Sequence, residues 1–369
     1  MTAVFPAEAA LPVQRASESR PPAPARLPVT IGGLGAAVPL GRVTNHDLAR
    51  RVETSDEWIV DRTGIRERRW VAKGQATSDI ALAAARAALT DAGTTADEVD
   101  LLVVCTCSPD YLLPSTASIV ARELDLHCAA MDLGAACSGW VYGLVTVASM
   151  LTAAGGRSAL VIGAEVLSPY LDPTDRTTMP LFGDGGAAAL VRPAGASPSQ
   201  GPGLLAWDLG VDGDGADLLC VPGGGSRQPL TAEGMAAGDQ FVKMEGREIF
   251  RRAVRSVETS CATTLASAGV DIGDVALFVP HQANSRIVDA ILPRLGIGPE
   301  RTMMNIERYG NTSAGSIPLA LCEAAAEGRL QEGDLVLLAG FGAGMTWATA
   351  LLRWGYTGTG PVAPSTLAP

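Results

Sequence analysis

The strongest constraint on the fold is an internal repeat. At an offset of 176 residues (269 − 93), Gly93 falls on Gly269 and Val99 on Val275, each valine opening an apolar run. The same offset sets Cys137-Ser138-Gly139 on Ser313-Ala314-Gly315. One inserted residue then moves the offset to 177 (333 − 156), where Gly156 meets Gly333 and Gly163 meets Gly340. Each half reads helix, Ala-Gly turn, strand, small-residue turn, helix, glycine, strand, glycine. Two such halves imply a pseudo-twofold molecule with a site where equivalent turns converge. Segments 101–106, 159–163, 276–279 and 335–339 are short apolar runs of buried-strand length. Segments 78–92, 138–154 and 248–266 have helical composition, and the alternation predicts an α/β fold. The expected division is a disordered extension over 1–26, one half over 27–195, a second over 196–356 and a tail over 357–369.

Composition narrows the function. The 369 residues are 47% hydrophobic and 18% charged, the balance of a well-buried enzyme. A net charge of -11 argues against a nucleic-acid partner, so an anionic ligand must be met by a local cluster of arginines. Residues 1–26 lack the basic start and apolar run of a signal peptide. No run of about 18 uninterrupted apolar residues marks a membrane span. Seven cysteines, an odd number, without a secretion signal fit a reducing cytoplasm. Cys105-Thr106-Cys107 has no companion Cys or His cluster and reads as two buried strand cysteines, so no metal or other cofactor is expected.

Three turns carry the chemistry. Asp132-Leu133-Gly134-Ala135-Ala136-Cys137-Ser138-Gly139-Trp140 joins an apolar strand to a helix. A cysteine at a helix N-terminus meets unpaired N–H groups, which lower its pKa and offer a donor to an oxyanion. Of the three histidines, His46 and His127 read as surface or loop residues. His281 directly follows an apolar strand in Pro280-His281-Gln282-Ala283-Asn284, and strand ends are where α/β sites collect. Asn311, in Tyr309-Gly310-Asn311-Thr312-Ser313, lies in the second-half counterpart of the Cys137 turn, so the pseudo-symmetry brings it near Cys137. Gly340-Phe341-Gly342-Ala343-Gly344-Met345 lacks the Lys-Ser/Thr of a phosphate loop and reads as a tight turn offering a backbone N–H. Gly223-Gly224-Gly225 reads as a plain loop, and Gly33-Leu34-Gly35 is too short a signal for a nucleotide site.

Together these residues resemble the β-ketoacyl-acyl carrier protein synthase III family, of the thiolase fold, from about Leu27 to Trp354. The segment 54–66, the Cys137 turn, Asp172-Pro173-Thr174-Asp175-Arg176, His281-Gln282-Ala283-Asn284 and Gly310-Asn311-Thr312 carry the resemblance. It implies a homodimer with a five-layer αβαβα core. Cys137 would be acylated. His281 and Asn311 would donate to the thioester oxygen of a malonyl group and to the enolate left by loss of CO2. The N–H groups of Cys137 and Ala343 would form the oxyanion hole. The resemblance assigns Trp58, Arg62, Arg176, Asn284 and Arg286 to coenzyme A. It assigns Gln282, Ala283, Asn284, Ser285, Arg286 and Arg251 to acyl carrier protein. Acyl-CoA and acyl carrier protein thioesters are the substrates implied. Ala343 replaces one of three glycines common in the last turn, which leaves the backbone donor intact. Leu113 stands where some relatives place a phenylalanine that limits the acyl pocket across the dimer, and leaves room for a larger or branched group.

Carbon–carbon bond formation that starts a fatty acid or a polyketide is the leading expectation. The alternative is an O- or N-acyltransferase using the same Cys137 and His281 without decarboxylation, and the presence of Asn311 favours condensation. A catalytically silent subunit would have lost the nucleophile.

Overall fold

The computed structural model describes residues 26–195, 201–360 and 363–367; apart from Arg26, the expected N-terminal extension lies outside them. The first half contributes strands β1 (Val29–Pro39), β2 (Leu101–Cys105), β3 (Ala129–Leu133), β4 (Ala159–Glu165) and β5 (Gly185–Pro193). Its principal helices are α1 (Asp56–Thr63), α2 (Thr77–Ala92), α3 (Thr116–Glu123) and α4 (Gly139–Ala154). The second half contributes β6 (Gly203–Val211), β7 (Val275–Pro280), β8 (Leu335–Gly342) and β9 (Thr346–Arg353). With them come helices α5 (Gly246–Ala268), α6 (Ser285–Leu295) and α7 (Ser316–Ala326), and the chain closes on β10 (Ser365–Leu367).

Two sheets are ordered β10-β1-β5-β4-β2-β3 and β7-β8-β9-β6, and their inner strands are buried on both faces. That double burial explains why β2, β4 and β8 are continuous apolar runs without alternation. Three apolar clusters define the layers. Helices α2 and α3 pack on the outer face of the first sheet, α4 and α7 fill the space between sheets, and α5 and α6 cover the second. This is the expected five-layer αβαβα order. Helix α4 is apolar because it lies in the central layer, with Trp140 and Leu144 fully buried. Gly33 and Gly35 are where α2 touches β1: a Cβ at either position would run into the helix backbone at Ala88 or Ala84. They serve helix–sheet packing.

The repeat is real in the backbone, with one correction of register. Ala136–Ser138 and Ser313–Gly315 are matching 3₁₀ turns leading into α4 and α7. Each opens on a non-glycine residue in the left-handed region, Ala136 at φ 45 and Ser313 at φ 46. The offset at the turn is therefore 177 (313 − 136), and Cys137 corresponds to Ala314. A glycine coincidence had favoured 176, but backbone conformation decides. Strand ends then cross between halves. Gly163 of β4 lies against Ala314, and its counterpart Gly340 of β8 lies against Ser138.

The tail over 357–369 contributes a strand to the first sheet. Strand β10 pairs in parallel with the outer edge of β1, Ala37 opposite Ser365 and Pro39 opposite Leu367. Asp91 anchors the approach to it, accepting from the Tyr356 hydroxyl and the Gly360 N–H. The opposite edge of this sheet, β3, has no partner strand among the described residues.

Candidate active site

Cys137 stands in the 3₁₀ turn that runs into α4, 6% exposed. The glycine turn after β8 closes over it. A Cβ on Gly342 would stand 2.6 Å from the Cys137 backbone nitrogen and 3.0 Å from its Cβ, so only glycine permits this approach. Among the described residues, three of the four non-glycine positions with positive φ (Ala136, Ser313 and Met345) flank this point. Such conformations cost about 1–3 kcal/mol each and collect where surrounding structure imposes them.

The thiol departs from expectation. Burial pushes it up to about 11, above its ordinary value. The Ser313 hydroxyl and the backbone N–H groups of Ala343 and Cys137 all favour the thiolate, while Glu165 opposes it. The helix-terminus effect is present but smaller than desolvation, so the resting sulfur carries its proton.

His281 follows β7 and is held by its backbone N–H on Ala339 O, 2.8 Å away. Burial pushes its imidazole down to about 3, so the ring is neutral at physiological pH. Neither ring nitrogen has a protein hydrogen-bond partner, an uncommon state for buried polar atoms, so the imidazole is free to engage a group that enters the cavity. Asn311 is 6% exposed, and its Oδ1 accepts from the Ser313 N–H at 2.8 Å. Its amide NH2 is thereby left as the end that can donate.

Cys137 lines two cavities. The narrower, about 110 Å³, is shared with His281, Asn311, Asn284, Phe341 and Gly342. The wider, about 490 Å³, is mostly apolar and includes Leu167, Tyr170, Phe182, Val221 and Val242. The sulfur thus sits between a passage lined by polar donors and a chamber fit for a hydrocarbon group.

A further cluster gathers on α1. Trp58 is half-buried, with the guanidinium carbons of Arg176 and Arg62 at 4.7 and 5.5 Å from its ring centroid. An aromatic face between two cations suits a purine base with phosphates. The Gly64 cap of α1 abuts Ser285 at the start of α6, which brings Arg286, exposed, to the same side. Asn284 caps α6, accepting from the Arg286 N–H at 2.9 Å, and also lines the narrow cavity with Ala283.

Three expectations need correction, those for Gln282, Cys107 and Gly223–Gly225. Gln282 is 1% exposed and its amide is spent internally, donating to Pro280 O and Met303 O and accepting from Asn305 N–H. It positions His281 and Asn284 and cannot face a carrier protein. Leu113, expected to act on the pocket across a dimer, is 86% exposed in the single chain and lies outside that chain's own cavity, which Tyr111 and Leu112 line. Cys107, expected to be a buried strand cysteine, follows β2 and opens into the wide cavity, whereas Cys105 is buried in the strand. Gly223–Gly225 borders that same cavity instead of being a plain loop. Arg251 is exposed on α5 and paired with Glu248 at 2.6 Å. His46 and His127 are exposed, as expected. Residues that sequence reasoning missed include Glu165, Ser313 and Tyr170; nothing local distinguishes them, because their neighbours are distant in sequence.

Residues 131–213 match the family model described as 3-oxoacyl-[acyl-carrier-protein] synthase III, and residues 265–354 match that of its C-terminal part. A β-ketoacyl-[acyl-carrier-protein] synthase III from Symbiobacterium thermophilum is 48% identical over 329 residues, covering 89% of this chain and 98% of that protein. The crystal structure of the Thermus thermophilus synthase III superposes with a TM-score of 0.81 at 44% identity, covering 88% of this chain and 99% of that one. A priming β-ketosynthase from the R1128 polyketide biosynthetic pathway superposes with a TM-score of 0.82 at 33% identity, covering 93% and 99%. The repeated fold, the Cys137 turn within a matched segment and a near-half-identical relative together establish that this chain belongs to the β-ketoacyl-[acyl-carrier-protein] synthase III family of acyl-transferring condensing enzymes.

Proposed function

We propose that the chain takes an acyl group from acyl-CoA onto Cys137 and condenses it with a malonyl thioester of acyl carrier protein. The observation that carries this reading is the convergence of Cys137, His281 and Asn311 on one narrow cavity that opens at the sulfur into an apolar chamber. Cys137 attacks the donor's thioester carbonyl, and the developing oxyanion is met by the N–H groups of Cys137 and Ala343. The acyl chain enters the wide chamber and the coenzyme leaves. A malonyl thioester then places its carbonyl oxygen between His281, a neutral donor, and the Asn311 amide. CO2 departs, both donors hold the enolate oxygen, and the enolate carbon attacks the acyl-cysteine, forming the carbon–carbon bond and expelling the Cys137 thiolate, which takes a proton from solvent. These steps require no metal or redox cofactor.

Several features support the finer assignments. Trp58 with Arg62 and Arg176 has the chemistry for the adenine and phosphates of coenzyme A, with Arg286 and Asn284 along the route to the sulfur. Arg286, Arg251, Ser285 and Ala283 offer local positive charge and surface to an acidic carrier protein on a chain of net charge -11. The chamber of about 490 Å³ favours a group larger than acetyl, which suits a starter for a polyketide as well as for a fatty acid. An unpaired β3 edge beside Tyr111, Leu112 and Leu113, the latter two 83% and 86% exposed, supports a homodimer formed there. Seven free thiols suit the cytoplasm.

The test is to incubate the protein with a panel of acyl-CoA donors, map the adduct, then add malonyl carrier protein and follow labelled CO2. Acylation of Cys137 followed by CO2 release and a β-ketoacyl product is expected. Transfer to an added alcohol or amine with no CO2 release would establish an acyltransferase instead.

A further inference from the structure

A buried polar cluster stands directly behind the nucleophile and has no part in the steps above. Its centre is Glu165, the last residue of β4, whose carboxylate is fully buried. It accepts from the Thr106 hydroxyl at 2.9 Å, the Ser108 hydroxyl at 2.6 Å and the N–H groups of Cys107 and Ser108 at 3.1 Å. The Cys107 thiol lies 3.2 Å away. From the other half come the Ser313 hydroxyl at 3.0 Å and the Ala314 N–H at 3.4 Å. Both carboxylate oxygens are thus met by donors from within the protein. By the repeat, Glu165 is the counterpart of Gly342, the glycine pressed on Cys137 (342 − 165 = 177). Where the second half leaves space for substrate, the first half inserts a carboxylate.

Ser313 connects this carboxylate to the site. Its left-handed backbone is fixed by Asn311 Oδ1 on its N–H and by Glu165 on its hydroxyl. That hydroxyl lies in the wall of the wide cavity beside Cys137, 3.7 Å from the Cys107 sulfur. It has one proton and two claimants. While Cys137 is a thiol, the hydroxyl donates to Glu165 and can accept from the S–H. Once the sulfur is a thiolate, the hydroxyl is the donor that can turn to it, and Glu165 keeps its other donors.

We propose that Glu165 and Ser313 are a positioning pair for the nucleophile, in which the carboxylate holds the Ser313 hydroxyl in the cavity wall beside Cys137, the hydroxyl supports the thiolate and the carboxylate opposes it. This rests on Cys137 being the nucleophile. The opposed effects of the two residues on the thiol follow from their chemistry: a hydrogen-bond donor stabilises the anion, and a like charge repels it. The acylation step stays balanced: Cys–SH and acyl–S–CoA give Cys–S–acyl and HS–CoA, with the cysteine's proton ending on the departing thiol. The other titratable groups on the cavity walls are Cys107, Asp110, Tyr111, Tyr170 and Cys220, with His281 on the far side of the sulfur. The Cys107 thiol lies against Glu165, burial raises the Tyr170 hydroxyl and keeps His281 neutral, and Asp110 is turned to Ser78 and Thr116.

The test is the pH dependence of Cys137 alkylation by iodoacetamide, read by peptide mapping for the wild type, Glu165→Gln and Ser313→Ala. Alkylation forms the S–C bond and releases iodide, and its rate follows the thiolate. Glu165→Gln should shift the profile to lower pH and speed alkylation at pH 7.5 by about tenfold, the effect of one pKa unit. Ser313→Ala should shift it to higher pH and slow alkylation about fivefold, the loss of one hydrogen bond of about 1 kcal/mol. Damage to the fold would move both in one direction, so opposite shifts identify the pair. Slower or unchanged alkylation in Glu165→Gln, or faster or unchanged alkylation in Ser313→Ala, overturns the proposal. If Glu165→Gln does not fold, Ser313→Ala decides alone by the same criterion. No acyl donor or malonyl thioester is involved, so failure of the condensation scheme would be seen separately.

Discussion

Replacing Asn311 by alanine separates the two half-reactions. Its Oδ1 accepts from the Ser313 N–H at 2.8 Å, and in the proposed mechanism its NH2 donates to the enolate. Losing a donor aimed at developing charge costs about 3 kcal/mol, or a hundredfold or more in rate. Losing the acceptor strands a buried N–H, which costs about 1–3 kcal/mol of folding stability. Self-acylation makes no enolate, so Asn311→Ala should still acylate Cys137 while CO2 release from malonyl carrier protein falls at least about a hundredfold. The assay is labelled CO2 release and intact-mass measurement of the acyl-enzyme on the same samples, with thermal unfolding alongside. Asn311→Asp returns an acceptor to Ser313 but withdraws the donor, and it should fail in CO2 release too. Equal loss of acylation and CO2 release in Asn311→Ala, or recovered release in Asn311→Asp, would refute the assignment of the NH2 to the enolate.

Arg176→Ala removes a cation 4.7 Å from the Trp58 ring centroid; it should raise KM for acyl-CoA about tenfold with kcat nearly unchanged, and steady-state kinetics with a fixed malonyl carrier protein check this. Gly342→Ala forces a methyl to 2.6 Å from the Cys137 nitrogen, where ordinary contacts begin at 3.4 Å. Overpacking of this kind costs about 1–3 kcal/mol, and a shift of the nucleophile by about 1 Å costs about a hundredfold, so acyl-enzyme formation should slow by that order in stopped assays. His281 has its folded pKa depressed to about 3 from an ordinary 6.5. The unfolded state therefore binds the extra proton first, and stability falls as pH drops from about 6.5 towards 3, by at most about 1.4 kcal/mol per pH unit. His281→Gln should show a shallower loss over that window in denaturant titrations, and an unchanged slope would contradict the buried neutral imidazole.

Much of this was legible from residues alone. Apolar runs bounded by glycine marked β2, β4, β7 and β8 to within a few residues, because strands buried on both faces leave no polar alternation to read. The repeat carried the pairing of halves, and the Cys, His and Asn turns pointed to the chemistry proposed, since side-chain type and position after a strand are local properties. What the tertiary structure alone decided concerns environment. The helix start at Cys137 suggested a lowered pKa, yet burial by the opposite half raises it. Gln282 sits between two functional residues in sequence, but folding turns it inward to three backbone groups. Glu165 and Ser313 are 148 residues apart and meet only because the halves cross their strand ends over each other's turns. The β10 strand follows from the tail returning to an open edge of β1, which composition cannot register. Desolvation and hydrogen-bond partnership are sums over neighbours brought together by folding, and a single chain read in order contains the neighbours but not their distances.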